Sequence, residues 1–513
     1  MSLLMGVDVG TTNWKAAVFD EVGHLVALAK TSAVTHYDER GWASYDPGEL
    51  WRLVADVIAA AVRQTGSAGG IAAVTVASMA ESVVPLDRSG EPVSQVIAWF
   101  DTRSLPQAQQ LERLLGRGKL YALTGLDPNP IFSVPKIMWY RDHEPEVYAH
   151  TKKWLSIADY VNYKLTGETV TDYSLASRTM ALNLETGTWS GEILSAAGLQ
   201  DTSLPEIRPS GTLVGTVTDA AAAETSLLPG TPVVLGGHDH LCGSLGAGVL
   251  LDHGVLDSSG TAESLIALSE PGAPIPKEFR GFRLGRYLDP RRYVTWGGII
   301  SSGSSIDWAL NQFASLTGWG MAGNQGCPDY SEVMAAAAET PPGARGLLYL
   351  PHLRGCGAPH WEPRARGALI GLRSTHTQPE LVRAVVEGLC FEVKLILDLM
   401  ERVAGRKIRT LNTVGGGARN AFWQQTKADV TGRTVTVPEI EEATPLGAAL
   451  LAGLGAGVYG DMVEASRFTY RVRHRFEPVA ERQEVYRALF HLYKQAYPAL
   501  IDLNIGLHDL AGE

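Results

Sequence analysis

The chain has 513 residues, 45% hydrophobic and 19% charged, too long for one ordinary core and too apolar for a disordered or fibrous chain. Lys+Arg 44 against Asp+Glu 55 leaves a net charge of −11, which excludes a broad nucleic-acid surface, because backbone binding needs a positive field. At roughly 150 residues per domain the length suits three units or two large α/β domains.

From the N-terminus, residues 4–9 and 14–20 alternate with period two around the turn Gly10-Thr11-Thr12-Asn13 and predict a β-hairpin. Residues 47–64 predict a helix, with Leu50, Leu53, Val54, Val57, Ile58 and Val62 on one face. A buried strand is expected at 71–76, then helices near 104–116, 134–149 and 156–165. The strand 232–235 leads into Gly236-Gly237-His238-Asp239-His240 and a run of small residues to Gly248. Residues 254–268 then read as strand, Gly260-Thr261 turn, strand, echoing the first hairpin. That echo suggests two related domains, 1–248 and 249–513, meeting at a cleft. A long amphipathic helix at 380–403, a strand at 410–414, the run Gly415-Gly416-Gly417 and a strand at 433–437 follow. Strands and helices alternate throughout, so the class is α/β.

Four cysteines, Cys242, Cys327, Cys356 and Cys390, form no CxxC pair and read as buried reduced thiols of a cytoplasmic protein. The N-terminus lacks a basic n-region, so no signal peptide is expected. Residues 445–460 are apolar or small but fall short of about 20 residues and carry Gly447, Gly453, Gly455 and Gly457. A buried helix running into a loop is predicted there, and no membrane partner.

Several segments have the residue types that chemistry needs. The Gly10-Thr11-Thr12-Asn13 turn can offer backbone N–H groups and hydroxyls to phosphate, and Asp8 at the strand end can hold Mg²⁺ through water. It is neither a P-loop nor a GxGxxG fingerprint, and a plain hairpin turn has the same composition. The glycine run at 415–417 suits close approach of a ligand to backbone, with Asn420 in the first turn of the next helix. His238-Asp239-His240 with Cys242 invites a metal reading, but no further His/Cys cluster supports it. Asp239 at a strand end suits a general base, or else a helix cap. Trp99, Asp101 and Arg103 offer an aromatic face and bidentate polar partners to a sugar, or else a local Asp–Arg pair. Ser78-Met79-Ala80-Glu81-Ser82 follows a buried strand and is a second polar candidate.

Taken together, the ordered motifs resemble the FGGY carbohydrate kinases, relatives of actin, hexokinase and the heat-shock ATPases, over nearly the whole chain. Gly367-Ala368-Leu369-Ile370-Gly371-Leu372 followed by Glu380-Leu381-Val382-Arg383-Ala384-Val385-Val386-Glu387 is similar to the second family signature. Ser133-Val134-Pro135-Lys136-Ile137-Met138-Trp139-Tyr140 matches the first more loosely, with departures at Ile131 and Tyr140. Asp172-Tyr173-Ser174-Leu175-Ala176-Ser177 also resembles a family segment.

The resemblance implies a two-domain actin-like, ribonuclease H-like ATPase fold with an interdomain cleft, and ATP and Mg²⁺ as cofactors. It implies that Asp8, Gly10, Thr11, Thr12, Asn13 and Lys15 form the first phosphate loop and that Gly260 and Thr261 form the second. Gly303 falls at another phosphate-side position, and Gly416, Gly417 and Asn420 at the adenosine. Asp239 is implied as the base that takes a proton from the sugar hydroxyl. Met79, Ala80, Glu81, Trp99, Asp101, Arg103 and His238 are implied on the sugar side. Motif spacing looks most like the xylulokinase branch, although Glu81 stands where that branch carries a His. His238 and His240 replace small or amide residues there. A fuculokinase-like, ribulokinase-like or polyol kinase is the alternative, and a catalytically inactive nucleotide-binding protein of the same fold is the alternative from another class. A small-molecule sugar is the expected partner, no nucleic acid is, and a homodimer is allowed.

Overall fold

A computed structural model describes residues 2–66, 70–276, 281–316 and 330–511. Cys327 therefore lies outside the described residues, while Cys242, Cys356 and Cys390 are free and buried. The chain forms two compact units. One comprises Met1–Leu251, Leu268–Val294 and Glu442–Tyr470, and the other Asp252–Ala267, Thr295–Glu441 and Arg471–Glu513. A single cut near residue 248 does not separate them, because two later segments return to the first unit.

In the first unit a six-stranded sheet runs in the order Leu213–Thr216, Pro232–His238, Ile71–Ser78, Leu3–Val9, Asn13–Phe19, Leu25–Ser32. The three consecutive strands Pro232–His238, Ile71–Ser78 and Leu3–Val9 are parallel, and Leu3–Val9 with Asn13–Phe19 makes the expected antiparallel hairpin. One face is covered by the helix Pro47–Gln64, started by Asp46, whose side chain accepts from the Glu49 N–H. Its apolar stripe, Leu50, Val54, Val57, Ile58 and Val62, joins Val7, Val9, Trp14, Ala16 and Val18 in one core. Each Leu, Val or Ile side chain among them contributes roughly 1.5–3 kcal/mol on burial.

The apolar segment near 445 forms the helix Ala443–Gly455, buried along most of its length against the same sheet. Its glycines are packing devices. A Cβ on Gly447 would lie 1.8 Å from the Cys242 carbonyl oxygen, and one on Gly6 would lie 1.9 Å from that of Pro445. Backbone touches backbone there, so only glycine fits.

Two expected helices changed shape for local reasons. The helix expected at 134–149 is two, Ser133–His143 and Pro145–His150, because Pro145 biases Glu144 away from helical backbone. The helix expected at 380–403 is Gln378–Ala404, its start moved back by a capping box between Thr377 and Glu380.

The second unit repeats the plan. Six neighbouring strands of its seven-stranded sheet run Tyr293–Ile299, Glu263–Leu268, Gly254–Ser259, Thr410–Val414, Thr434–Pro438, Val472–Phe476. Gly254–Ser259 and Glu263–Leu268 form an antiparallel hairpin, and Gly254–Ser259, Thr410–Val414 and Thr434–Pro438 are parallel. Each unit thus places a hairpin next to two further parallel strands.

Candidate active site

Parallel strands in register bring distant segments to one edge. Val9 pairs with Ser78 and Ser78 with His238, so the turn after Asp8, the turn at Met79–Ser82 and Asp239 all leave the sheet at neighbouring carboxyl ends. Ligands in open α/β sheets bind at such ends.

Asp239 is the first residue of the helix Asp239–Gly246, and the position before it is His238, so Asp239 is not the cap. Its Oδ1 accepts from the His240 backbone N–H at 2.6 Å and lies 2.8 Å from His238 Nδ1. A proton on His238 Nδ1 makes the second contact a hydrogen bond, which we prefer to the longer 3.2 Å one from the His240 N–H to that nitrogen. Both donors thus hold Oδ1, and among the described residues Oδ2 has none. Burial pushes the Asp239 carboxyl up, but His238, His240 and the hydrogen bonds outweigh it and hold it down to about 2. The side chain keeps 18% exposure. From behind, Ser174 accepts the His238 backbone N–H at 2.9 Å. Asp172 caps the short helix that carries Ser174.

Asp8 sits under the first turn. Burial and the nearby Asp239 raise its carboxyl to about 8, with Glu442 adding to the effect and Lys15 opposing it. Lys15 Nζ pairs with Glu442 at 2.6 Å, so this ammonium also anchors the start of the helix Ala443–Gly455. The turn is braced by two indoles: Trp14 Nε1 donates to the Gly10 carbonyl at 3.1 Å and Trp99 Nε1 to Thr11 Oγ1 at 2.9 Å. The Gly10 N–H turns inward to the Asn13 carbonyl at 3.2 Å. Thr11 keeps its hydroxyl hydrogen to donate, and Thr12 is exposed at the tip.

Glu81 is buried and holds φ +69°, a left-handed backbone strained for a side chain. Arg178 donates to its Oε1 through Nε at 2.7 Å and through Nη2. Arg283 stands nearby; burial and the adjacent Arg178 hold its guanidinium down to about 10. The two guanidinium carbons lie 5.1 and 5.9 Å from the Phe132 ring centre. Glu81 is therefore a carboxylate already paired with Arg178, with the Arg283 charge nearby.

Other expected sugar contacts have different surroundings. Met79 and Ala80 are 3% and 2% exposed and belong to the core, leaving only backbone to face a ligand. Asp101 and Arg103 pair in two parallel hydrogen bonds of 2.9 Å, and both also bond Ala43. They form the local pair, tying Arg103 over the Trp42 and Trp139 rings. Trp99 stays half-buried beside the first turn.

In the second unit the turn after Gly254–Ser259 and the loop after Thr410–Val414 also leave at parallel carboxyl ends. A Cβ on Gly416 would meet nothing within 4 Å, and one on Gly260 only the Ala262 carbonyl at 3.5 Å. Both leave open space beside backbone, a cradle a side chain would fill. Gly303 and Gly417 are glycine for packing, since a Cβ would lie 2.5 Å from the Gly260 oxygen or 2.8 Å from Ser259 and Trp423. Thr261 accepts the Ser302 N–H at 3.0 Å, fastening the turn. Asn420 is the cap of the helix Ala421–Thr431, not a first-turn residue: its Oδ1 accepts the Trp423 N–H at 3.0 Å.

Beneath this turn lies a network that sequence reasoning missed. Lys427 is fully buried and donates to Asp257, to Ser259 at 3.1 Å and to Glu263 at 2.7 Å. Ser302 adds a 2.6 Å bond to Glu263. Burial pushes Asp257 up to about 7; burial acts on Glu263 too, but Lys427 and its hydrogen bonds hold that carboxyl down. A single basic residue at mid-helix gives no local signal of this role.

Comparison with known proteins decides the family. Residues 3–246 match the N-terminal domain of the FGGY family of carbohydrate kinases and residues 258–456 its C-terminal domain. The xylulose kinase of Bacillus subtilis (strain 168) is 30% identical over 517 residues, covering 99% of each chain. The chain belongs to the FGGY family of carbohydrate kinases. It is thus a kinase of the two-domain actin-like ATPase fold, acting on a small-molecule sugar with ATP as phosphoryl donor. A solved xylulose kinase from Rhodospirillum rubrum superposes with TM-score 0.89 at 26% identity, covering 98% of this chain and 99% of that one. The gluconokinase of Bacillus licheniformis is 28% identical, covering 96% of this chain and 95% of its own.

The family signatures are structural staples in this chain. Lys136 of the first is buried and donates to the carbonyls of Trp99 at 3.1 Å, Pro130 at 3.3 Å and Ile131. Burial holds its ammonium down to about 7. Arg383 and Glu387 of the second pair at 2.7 Å inside the unit, and Tyr486 and the Gly343 N–H donate to the same carboxylate oxygen, Oε1. No helix among the described residues is long and apolar enough to cross a membrane.

Proposed function

We propose that this FGGY kinase transfers the γ-phosphoryl group of ATP to a hydroxyl of a linear ketose. D-Xylulose is the leading candidate, and another ketose, a deoxyketose or a polyol is the alternative. The observation that carries the reading is Asp239, anchored through Oδ1 by two donors with Oδ2 left to accept a proton. An inactive nucleotide-binding protein would have no use for such a carboxylate beside Asp8.

A sugar hydroxyl is a poor nucleophile at neutral pH. Asp239 Oδ2 accepts its proton as the oxygen attacks, and the depressed carboxyl is ionised and ready throughout the neutral range. The Gly10–Asn13 turn presents Thr11 and Thr12 to the phosphoryl oxygens, and Trp99 fixes the Thr11 rotamer. Gly260 and Gly416 leave the room for the nucleotide to approach backbone. The donor set fits Mg²⁺: Asp8 is a hard oxygen ligand whose charge is disfavoured by burial and by Asp239, and a cation relieves both. Bound Mg²⁺ would be held by Asp8, through water, and would neutralise charge on the phosphates.

The test is kcat/KM over ketopentoses, deoxyketoses, pentitols and gluconate with ATP and Mg²⁺. Highest values on a neutral linear ketose or polyol are expected. Highest activity on gluconate would overturn the sugar assignment and give Arg178 and Arg283 a substrate carboxylate to bind. ATP turnover that no sugar stimulates would overturn the kinase reading of Asp239.

A further inference from the structure

Away from the sugar and nucleotide residues, the second unit buries a mixed donor cluster. His352 follows the strand Leu348–Leu350, Cys356 lies on the same loop, and Glu392 belongs to the helix Gln378–Ala404. They are 2%, 1% and 3% exposed, and one ligand atom from each lies within 4.8 Å of the others.

Hydrogen bonding does not account for the cluster. Neither ring nitrogen of His352 has a partner among the described residues, although both are buried. Its Nε2 stands 3.8 Å from Glu392 Oε1, beyond hydrogen-bond range. A buried polar atom without a partner carries its full desolvation cost, so a native core rarely leaves two on one ring. Glu392 is meanwhile held by the Tyr493 hydroxyl on Oε2, which leaves Oε1 toward the imidazole. Tyr497 packs edge-on against His352 with ring centres 5.5 Å apart.

We infer that His352, Cys356 and Glu392 form a structural site for a borderline divalent transition-metal ion such as Zn²⁺. One sulfur, one imidazole nitrogen and one carboxylate oxygen suit that class of ion, and they do not suit Mg²⁺ or Ca²⁺, which take oxygen. With bonds of ~2.0–2.3 Å, tetrahedral ligand atoms stand roughly 3.3–3.6 Å apart, so the side chains close by about an ångström on binding. Water fills the fourth position. As the metal–sulfur bond forms, the Cys356 S–H bond breaks and its proton goes to solvent; no electron is transferred. The ion ties the loop after Leu348–Leu350 to the helix that carries Arg383 and Glu387.

Full-length protein, stripped with chelator and dialysed, is titrated with Co²⁺ and then Zn²⁺. One equivalent of Co²⁺ should give a near-ultraviolet thiolate-to-cobalt band, which one equivalent of Zn²⁺ abolishes. Cys356→Ser should lose the band, and His352→Gln should weaken binding by about tenfold or more. Cys242→Ser, Cys327→Ser and Cys390→Ser should keep it. A wild-type protein without the band, or a band that survives Cys356→Ser, overturns the site. If Cys356→Ser does not fold, unchanged affinity in His352→Gln overturns it instead. Kinase activity is not the readout, so the sugar assignment can fail independently.

Discussion

Asp239 and Asp8 are both carboxylates at strand ends, yet their surroundings drive their acidities apart, to about 2 and about 8. Such divergence separates a base from a group awaiting a cation. Asp239→Asn keeps the shape and the Oδ1 contacts but cannot take the proton. We expect kcat to fall by about 10²–10⁴ with ADP affinity unchanged by calorimetry. Activity within threefold of wild type would mean that another residue is the base. For Asp8 the folded value lies above the ordinary 3.8. Its stabilising contribution is therefore complete below pH ~4 and is lost as pH rises through about 8. Without divalent cations the wild-type Tm should drop across that window more than that of Asp8→Asn, and Mg²⁺ should narrow the gap. Parallel pH profiles in the two proteins would refute the raised carboxyl.

Glycine carries two different meanings in the elements, and substitution separates them. Gly447 packs the helix Ala443–Gly455 on Cys242 with backbone in the way of any Cβ, at 1.8 Å. Neither partner can rotate aside, so Gly447→Ala should cost at least about 1–3 kcal/mol, read as a lower urea midpoint. Gly416 has nothing within 4 Å of its would-be Cβ. Gly416→Ala should leave the midpoint within the change of about 0.5 kcal/mol typical of neutral surface substitutions, while ADP binding weakens. Equal ADP affinity in Gly416→Ala would remove that residue from the nucleotide site.

At the scale of the molecule, the two units share the order of six strands, a hairpin beside parallel strands. Their chain paths are interleaved: Leu268–Val294 and Glu442–Tyr470 belong to the first unit. A fragment of residues 1–251 would lack the helix Ala443–Gly455, exposing the backbone surface at Gly6 and Gly246 that it covers. That fragment should be insoluble or should unfold without a cooperative transition. Adding residues 442–470 in trans or by permutation should restore one. Cooperative unfolding of 1–251 alone would contradict the returning segment's role.

What the sequence determined by itself was local. The hairpins around Gly10 and Gly260, the helix Pro47–Gln64 and the position of Asp239 after a strand all follow from residues a few places apart, where backbone preference and periodicity act. The family motifs added roles to these. Tertiary structure alone decided which charges meet. Arg178 reaches Glu81 across 97 positions and Lys427 reaches Asp257 across 170, so neither pairing leaves a trace in spacing. It decided between open readings as well, pairing Asp101 with Arg103 and making His238, not Asp239, the residue that precedes the helix. It also decided what the predicted helix, Ala443–Gly455, packs against, with Gly447 on Cys242 and Gly6 on Pro445, because close backbone packing is a property of two surfaces and a sequence displays only one at a time.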